Sequence, residues 1–252
     1  MLPLIPLSFE PWTILVTVVD PTLIIVPAFN EESSIGSVLK DLKKFTSLQS
    51  RFEICVINDG SRDSTSEIAR SFGVHVLDLP LNIGVGGALR TGYRFAMENG
   101  FQRVIHFDAD GQHQSESIVD IMEALDKSDF VIGSRYGKNM EYPISFVVRS
   151  AQVVLSVLLR IFHGANLTDP TSGFRGTKGD LIKIFARKYP SPFLADTIGS
   201  IILAKKHKFQ VEEIFTPMKV RQSGDASQNF YQRVKYFILA MLLIMLWREI
   251  DS

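Results

Sequence analysis

The sequence predicts an α/β fold built on a mainly parallel sheet, and three observations carry that prediction. From about residue 22 to residue 134, short apolar runs of strand length alternate with longer segments of helical periodicity, a pattern that fits parallel strands with helices over both faces of the sheet. The polar clusters at Asn30, Asp59 and Asp108 each follow one of those apolar runs, which is where sheets of this kind bind ligands. With 252 residues, 46% of them hydrophobic, the chain can also bury a full core.

The elements follow in order. Leu23–Pro27 reads as a buried strand, and Asn30 with the acidic residues after it opens a helix whose apolar positions are Ile35, Val38, Leu39, Leu42 and Phe45. Ile54–Ile57 is the next strand, Asn58-Asp-Gly-Ser61 its turn, and Ser64 with Glu67 a capping box for the helix beyond. Val74–Leu79 is a third strand, and the glycine-rich turn Asn82–Gly87 leads into a helix that stops at Gly100. Its glycines lack the spacing of a dinucleotide fingerprint, so a close helix start near a nucleotide is the better reading. Arg103–Phe107 is a strand ending at Asp108, Ile118–Leu125 is helical, and Phe130–Ile132 is a further strand.

The second half is less regular. Pro143–His163 forms a long helix with Val147, Val153, Val154, Val157, Leu158 and Ile161 on one face and Arg149, Gln152, Ser156 and Arg160 in a polar stripe. Gly164 ends it, Asp169–Arg175 is a loop, helices follow at about 178–187 and 195–207, and Val211–Phe215 is the last strand. Tyr236–Trp247 is apolar without a break. Its length, roughly 18 Å as a helix, falls short of the roughly 30 Å hydrocarbon core, so it should lie in the interface or pack on the domain. No repeat, low-complexity segment or linker divides the chain. The expected organisation is an extension over 1–21, one domain over 22–228, and an apolar helix over 229–252 that meets a membrane surface or a second copy.

Several classes are excluded. The lone Cys55 sits in an apolar run and cannot form an internal disulfide, and the five histidines lack metal-ligand spacing, which argues against zinc and redox chemistry. Prolines 3, 6 and 11 interrupt the first twenty residues, which do not read as a signal peptide. Net charge is zero, yet residues 1–134 carry 10 Lys+Arg against 18 Asp+Glu while residues 135–235 carry 16 against 7. The acidic part suits metal ligation and the basic part an anionic acceptor or bilayer, although solvated lysines alone would give the same count. No nucleic-acid partner is expected.

Asp108-Ala-Asp110 after a strand is the sharpest chemical feature. Two carboxylates one residue apart can share a divalent cation that bridges two phosphates, and Gln112 adds a neutral oxygen. Alone the pair is ambiguous, because aspartates favour turns for local hydrogen-bonding reasons. It is one of six segments: VPAFNEE (26–32), INDGSRDST (57–65), NIGVGGALRTG (82–92), DADGQH (108–113), GSR (133–135) and DPTSGFR (169–175). In order and spacing these resemble the family-two glycosyltransferases of the GT-A fold, most closely the branch of dolichyl-phosphate mannose synthases and bacterial polyprenyl-phosphate glycosyltransferases. The resemblance covers about residues 22–228.

The resemblance implies a Rossmann-like sheet with amphipathic, interfacial C-terminal helices, and assigns roles residue by residue. Pro27, Ala28, Asn30 and Glu31 border the nucleotide pocket, with Asp108 beside them, and Asp59 contacts the base or ribose, although a plain Asp-Gly turn would also explain it. Asp108, Asp110 and Gln112 take Mg²⁺ or Mn²⁺ and the diphosphate. Arg135 and Arg149, with Ser172 and Arg175 of the DPTSGFR loop, match the acceptor-phosphate region; Arg175 either orders that loop against Asp169 or reaches the phosphates, and structural salt bridges would account for each arginine. Arg221 and Gly224 resemble a segment that closes over the donor diphosphate. Gln228 stands where mannose synthases place lysine, which favours the broader bacterial branch.

The expected reaction is inversion at the anomeric carbon of a nucleotide diphosphate sugar, with Asp110, Arg221 and Asp196 as the catalytic set. A polyprenyl or dolichyl phosphate acceptor is mostly dianionic at neutral pH and needs no base, whereas a sugar hydroxyl does. Asp196 is the candidate base and equally a helix cap. A nucleotide-sugar binding protein without turnover is the remaining alternative. The expected location is peripheral, on the cytoplasmic face of a membrane, with homo-oligomerisation left open.

Overall fold

Side chains of a strand alternate between its faces, and along β1 (Thr22–Ala28) both sets are apolar from Leu23 onward. Leu23 and Ile25 join one core and Ile24, Val26 and Ala28 the other, so the strand is buried on both sides and reads as a continuous apolar run. In the computed structural model, residues 20–47, 51–136, 146–191, 195–218 and 230–250 are described.

After β1 the order is α1 (Ile35–Thr46), β2 (Phe52–Asn58), α2 (Thr65–Ser71), β3 (His75–Asp78), α3 (Val85–Glu98), β4 (Arg103–His106), α4 (Ser117–Leu125) and β5 (Phe130–Ser134). Then come α5 (Phe146–His163), β6 (Arg175–Lys178), α6 (Asp180–Lys188), α7 (Ala195–Lys206), β7 (Val211–Phe215) and α8 (Phe230–Ile250). The seven strands form one sheet in the order β3-β2-β1-β4-β6-β5-β7. Leu39 and Leu42 of α1 and Ile121 and Leu125 of α4 cover one face. Leu89 and Tyr93 of α3, Phe185 of α6 and Ile198 and Ile201 of α7 cover the other.

The expected α/β architecture with a mainly parallel sheet is present, and three local expectations change. Residues Arg175–Lys178 form a strand, antiparallel to both β4 and β5, where the sequence suggested the end of a loop and the start of a helix. Arg-Gly-Thr-Lys carries no apolar signal; Gly176 is required there because a side chain would meet Ile121 Cγ2 at 2.4 Å. Ser64 precedes α2 without a side-chain cap, and Asp63 Oδ1 instead accepts the Thr65 N–H at 3.0 Å.

The third change concerns α5. Its buried residues are Gln152, Leu155 and Leu159, while Val147, Val153, Val154, Val157 and Ile161 are exposed, up to 69% at Ile161. Part of the polar stripe faces inward and the valine face looks out. Ala240 and Ile244 of α8 are buried in the same core, and Ile238, Leu239, Leu242, Met245 and Leu246 remain exposed. By length and composition α5 is apolar enough to cross a membrane.

Candidate functional site

The carboxyl ends of β1, β2 and β4 bring Asn30, Asp59 and Asp108 to one edge of the sheet. Ala28 aligns with Asn58 and Ile25 with His106, and the Phe107 N–H donates to the Ile25 carbonyl at 3.0 Å. Asp108 therefore leaves the sheet at its centre. His113 Nε2 lies 2.9 Å from Asp108 Oδ2, and His106 Nε2 lies 3.0 Å from Oδ1. Burial works to raise the Asp108 pKa, yet the two imidazoles overcome it and hold the carboxyl well below the usual carboxylate range. The His113 ring stacks on Phe174 with centroids 4.8 Å apart, and its backbone pairs with Met218. A Cβ on Gly173 would meet Asp108 Oδ2 at 2.5 Å, so the glycine admits the carboxylate.

Asp110 Oδ1 accepts the Gln112 N–H at 3.0 Å, which fixes the turn. No group of three or more His, Cys, Asp or Glu side chains among the described residues could hold a metal by itself. Two carboxylates and an amide are an all-oxygen set that suits Mg²⁺ or Mn²⁺ shared with phosphate oxygens and water, so the residues present fit such an ion.

Beyond β1, β2 and β3, a cavity of about 580 Å³ is lined in part by Phe29, Asn30, Arg62, Asp78, Leu81 and Asn82. Asn30 adopts φ 55°, a left-handed conformation that asparagine tolerates. From there it accepts the Arg62 N–H at 2.9 Å, and its own N–H donates to Ser61 Oγ at 2.9 Å. Glu31 holds the hydroxyl of Ser34, and its N–H donates to Thr65 Oγ1 at 2.8 Å. Pro27 is half-buried and Ala28 buried behind this turn. Asp59, expected toward base or ribose, accepts the N–H groups of Ile83 and Gly84 at 2.8 and 2.9 Å, clamping the turn that starts α3. Burial raises its pKa against those two bonds.

Of the expected acceptor-phosphate residues, Arg149 stands over the Tyr136 ring, 3.7 Å from its centroid, and donates to the Thr168 carbonyl at 3.1 Å. Arg135 lies 6.0 Å from the same ring and forks onto Asp169 through Nε and Nη2, each at 2.7 Å. Ser172 Oγ is closed off from solvent, with no hydrogen-bond partner among the described residues. Arg175 corrects both expectations held for it. At 1% exposed it neither pairs with Asp169 nor reaches outward; it donates to the carbonyls of Pro170, Ser172 and Thr197 and to Ser200 Oγ. A buried guanidinium that bridges carbonyls of the 169–175 loop to the first turn of α7 is a structural clamp.

Sequence reasoning missed Glu213 on β7, whose carboxylate accepts the N–H groups of Thr168 and Asp169 at 2.8 and 2.6 Å. It also passed over His106 and His113, although His113 lies within the DADGQH segment. Asp196 is 6% exposed in the first turn of α7; burial raises its pKa, against Arg175, the Thr197 N–H and His106. Arg221, Gly224 and Gln228 lie outside the described residues.

The profile described as Glycosyl transferase family 2 matches residues 23–185. An undecaprenyl-phosphate mannosyltransferase of Micrococcus luteus is 34% identical over 169 residues, 64% of this chain and 68% of that protein. A UDP-N-acetylglucosamine--dolichyl-phosphate N-acetylglucosaminyltransferase of Methanococcus voltae is 27% identical over 211 residues, 76% of this chain and 82% of that protein. In three dimensions the chain resembles glucosyl-3-phosphoglycerate synthase of Mycobacterium tuberculosis, solved with Mn²⁺, UDP and phosphoglyceric acid. The TM-score is 0.68 at 16% identity, over 91% of this chain and 78% of that one.

Proposed function

Because this chain belongs to glycosyl transferase family 2, we propose that it transfers a hexose, with inversion, from a UDP- or GDP-sugar to a polyprenyl or dolichyl phosphate at a membrane surface. The observation that carries the choice of acceptor is the placement of Arg149. It stands in the first turn of a helix whose outward face is apolar, so a phosphate bound there would have its hydrocarbon tail continue over Val153, Val157 and Ile161. Relatives named for undecaprenyl and dolichyl phosphate support the same class.

In this reading the cavity beyond β1–β3 receives the nucleoside, with Asn30 and the turn clamped by Asp59 forming its walls. Asp108, Asp110 and Gln112 would hold Mg²⁺ or Mn²⁺, the ions and nucleotide with which structural neighbours were solved. Such a cation supplies charge neutralisation at the departing diphosphate. The imidazoles of His106 and His113 keep Asp108 ionised and aimed. Arg149 and Arg135, both near the Tyr136 ring, orient the acceptor phosphate, which attacks without proton removal because its second pKa is about 6. Arg221 is assigned to the diphosphate. The exposed faces of α5 and α8 seat the protein peripherally, on the cytoplasmic side.

A second reading, a sugar hydroxyl acceptor, draws on Asp196, a buried carboxyl with a raised pKa of the kind a general base needs. The test is incubation of the purified chain and Mn²⁺ with UDP- and GDP-sugars plus undecaprenyl or dolichyl phosphate, with mass spectrometry and anomeric NMR of the product. Binding of a nucleotide sugar without any glycolipid would sink the lipid-phosphate reading.

A further inference from the structure

The end of α5 remote from Arg149 borders a second concavity. Phe162, His163, Ile202, Lys205, Lys206 and Trp247 line a cavity of about 320 Å³. His163 closes α5, Lys205 and Lys206 close α7, and Trp247 lies in the last turn of α8. The fourteen residues from Arg149 to His163 place this cavity about 21 Å along the helix from the transfer site.

Its chemistry differs from that of an ordinary helix-end cluster. Lysines in a last turn answer the negative end of the helix dipole, but here two ammonium groups share a concave wall with two aromatic rings. The Trp247 indole N–H is shut off from solvent and has no acceptor among the described residues. His163 Nε2 donates to the Ile244 carbonyl at 2.9 Å and ties α5 to α8 beside the cavity. The rim joins the exposed apolar face: Ile161 and Phe162 of α5 and Met245 and Leu246 of α8 lie beside the lining residues in sequence and face outward. Cations beside an apolar rim match a phosphodiester that carries hydrocarbon chains.

We propose that this cavity binds the headgroup phosphate of an anionic bilayer lipid that takes no part in the reaction, so that α5 is pinned to the membrane at both ends. The inference rests on the reading that the α5–α8 face seats on a bilayer, and the experiment separates the two. The full chain carrying Trp12→Phe keeps Trp247 as its only tryptophan. It is titrated with vesicles of phosphatidylcholine, of phosphatidylcholine with phosphatidylglycerol, and with sn-glycerol 1-phosphate alone, following co-sedimentation and Trp247 emission.

The expected result is tighter binding and a Trp247 blue shift on the phosphatidylglycerol vesicles. The pair Lys205→Gln and Lys206→Gln should abolish the shift and weaken that binding roughly thirtyfold, the combined effect of two lysines at an anionic surface. Binding to phosphatidylcholine should not change, and the pair Lys43→Gln and Lys44→Gln on α1 should behave as wild type. Loss of all vesicle binding only in Val157→Asp with Ile161→Asp supports the bilayer reading by itself. If the wild type binds both vesicle types equally, or both lysine pairs weaken binding alike, the headgroup site is refuted while the bilayer reading stands. A full shift with glycerol phosphate that vesicles do not enhance would refute the lipid as its occupant. No binding to any vesicle would refute both.

Discussion

Asp169, wholly buried, accepts two hydrogen bonds at 2.7 Å from the guanidinium of Arg135, so the loop after α5 is locked to the end of β5 by a fork of two charges. Glu213 holds the same loop from behind through the Thr168 and Asp169 amides. Asp169→Asn leaves Arg135 without a charged partner in this pair and should cost about 3 kcal/mol of unfolding free energy in a urea titration. A change within about 0.5 kcal/mol would show that the fork contributes nothing to the fold.

Gly173→Ala tests the geometry at Asp108. The added methyl would sit 2.5 Å from Oδ2, so the carboxylate has to move. Turnover should drop by about tenfold to a hundredfold with weaker Mn²⁺ binding by electron paramagnetic resonance. Wild-type affinity for Mn²⁺ together with wild-type turnover would count against Asp108 as part of the metal corner.

Metal dependence has a direct check. Chelation should reduce turnover at least about a hundredfold, with recovery on adding Mg²⁺ or Mn²⁺, and Asp110→Asn should prevent that recovery. Undiminished transfer in excess chelator would remove the cation from the mechanism.

Asp59→Asn trades one oxygen acceptor for an amide, leaving the Ile83 or Gly84 N–H without its partner. Loosening that turn should weaken nucleotide diphosphate binding by about tenfold in calorimetry. An unchanged dissociation constant would detach this clamp from the nucleotide cavity.

Asp196 separates the two acceptors and carries a pH signature. With a phosphate acceptor, Asp196→Asn should keep turnover within about threefold, whereas loss of a general base costs about a hundredfold or more with nucleotide binding intact. Its folded pKa is raised above the ordinary 3.8 by burial. The carboxyl's contribution to stability is therefore present below that value and is lost as pH rises through the raised pKa. Urea titrations from about pH 4 to about pH 8 should show wild type losing stability relative to the variant as pH rises, and the opposite slope would contradict the raised pKa.

The parts legible in the sequence were those with a one-dimensional signal. β1, β2 and β5 are apolar runs, and Asp108 and Asp110 follow such a run, so both the sheet and its carboxyl edge could be read directly. Partnership in space was not legible. Nothing local tells that Arg175 turns inward among carbonyls while Arg149 lies over Tyr136, since both are arginines near polar neighbours. His106 and His113 are seven residues apart and meet only because the turn folds Asp108 between them. The apolar stripe of α5 was visible, but a stripe does not say which way it faces; the inward position of Gln152, bonded to Thr171 at 2.9 Å, settles that.

The antiparallel β6 between β4 and β5 has a consequence for how the chain assembles. Residues 20–106 supply four neighbouring strands, but β5 and β7 have no place to dock until Arg175–Lys178 has been made. During synthesis the growing chain therefore carries β4 as a bare edge for some seventy residues, an interval in which it is open to mispairing with other nascent chains.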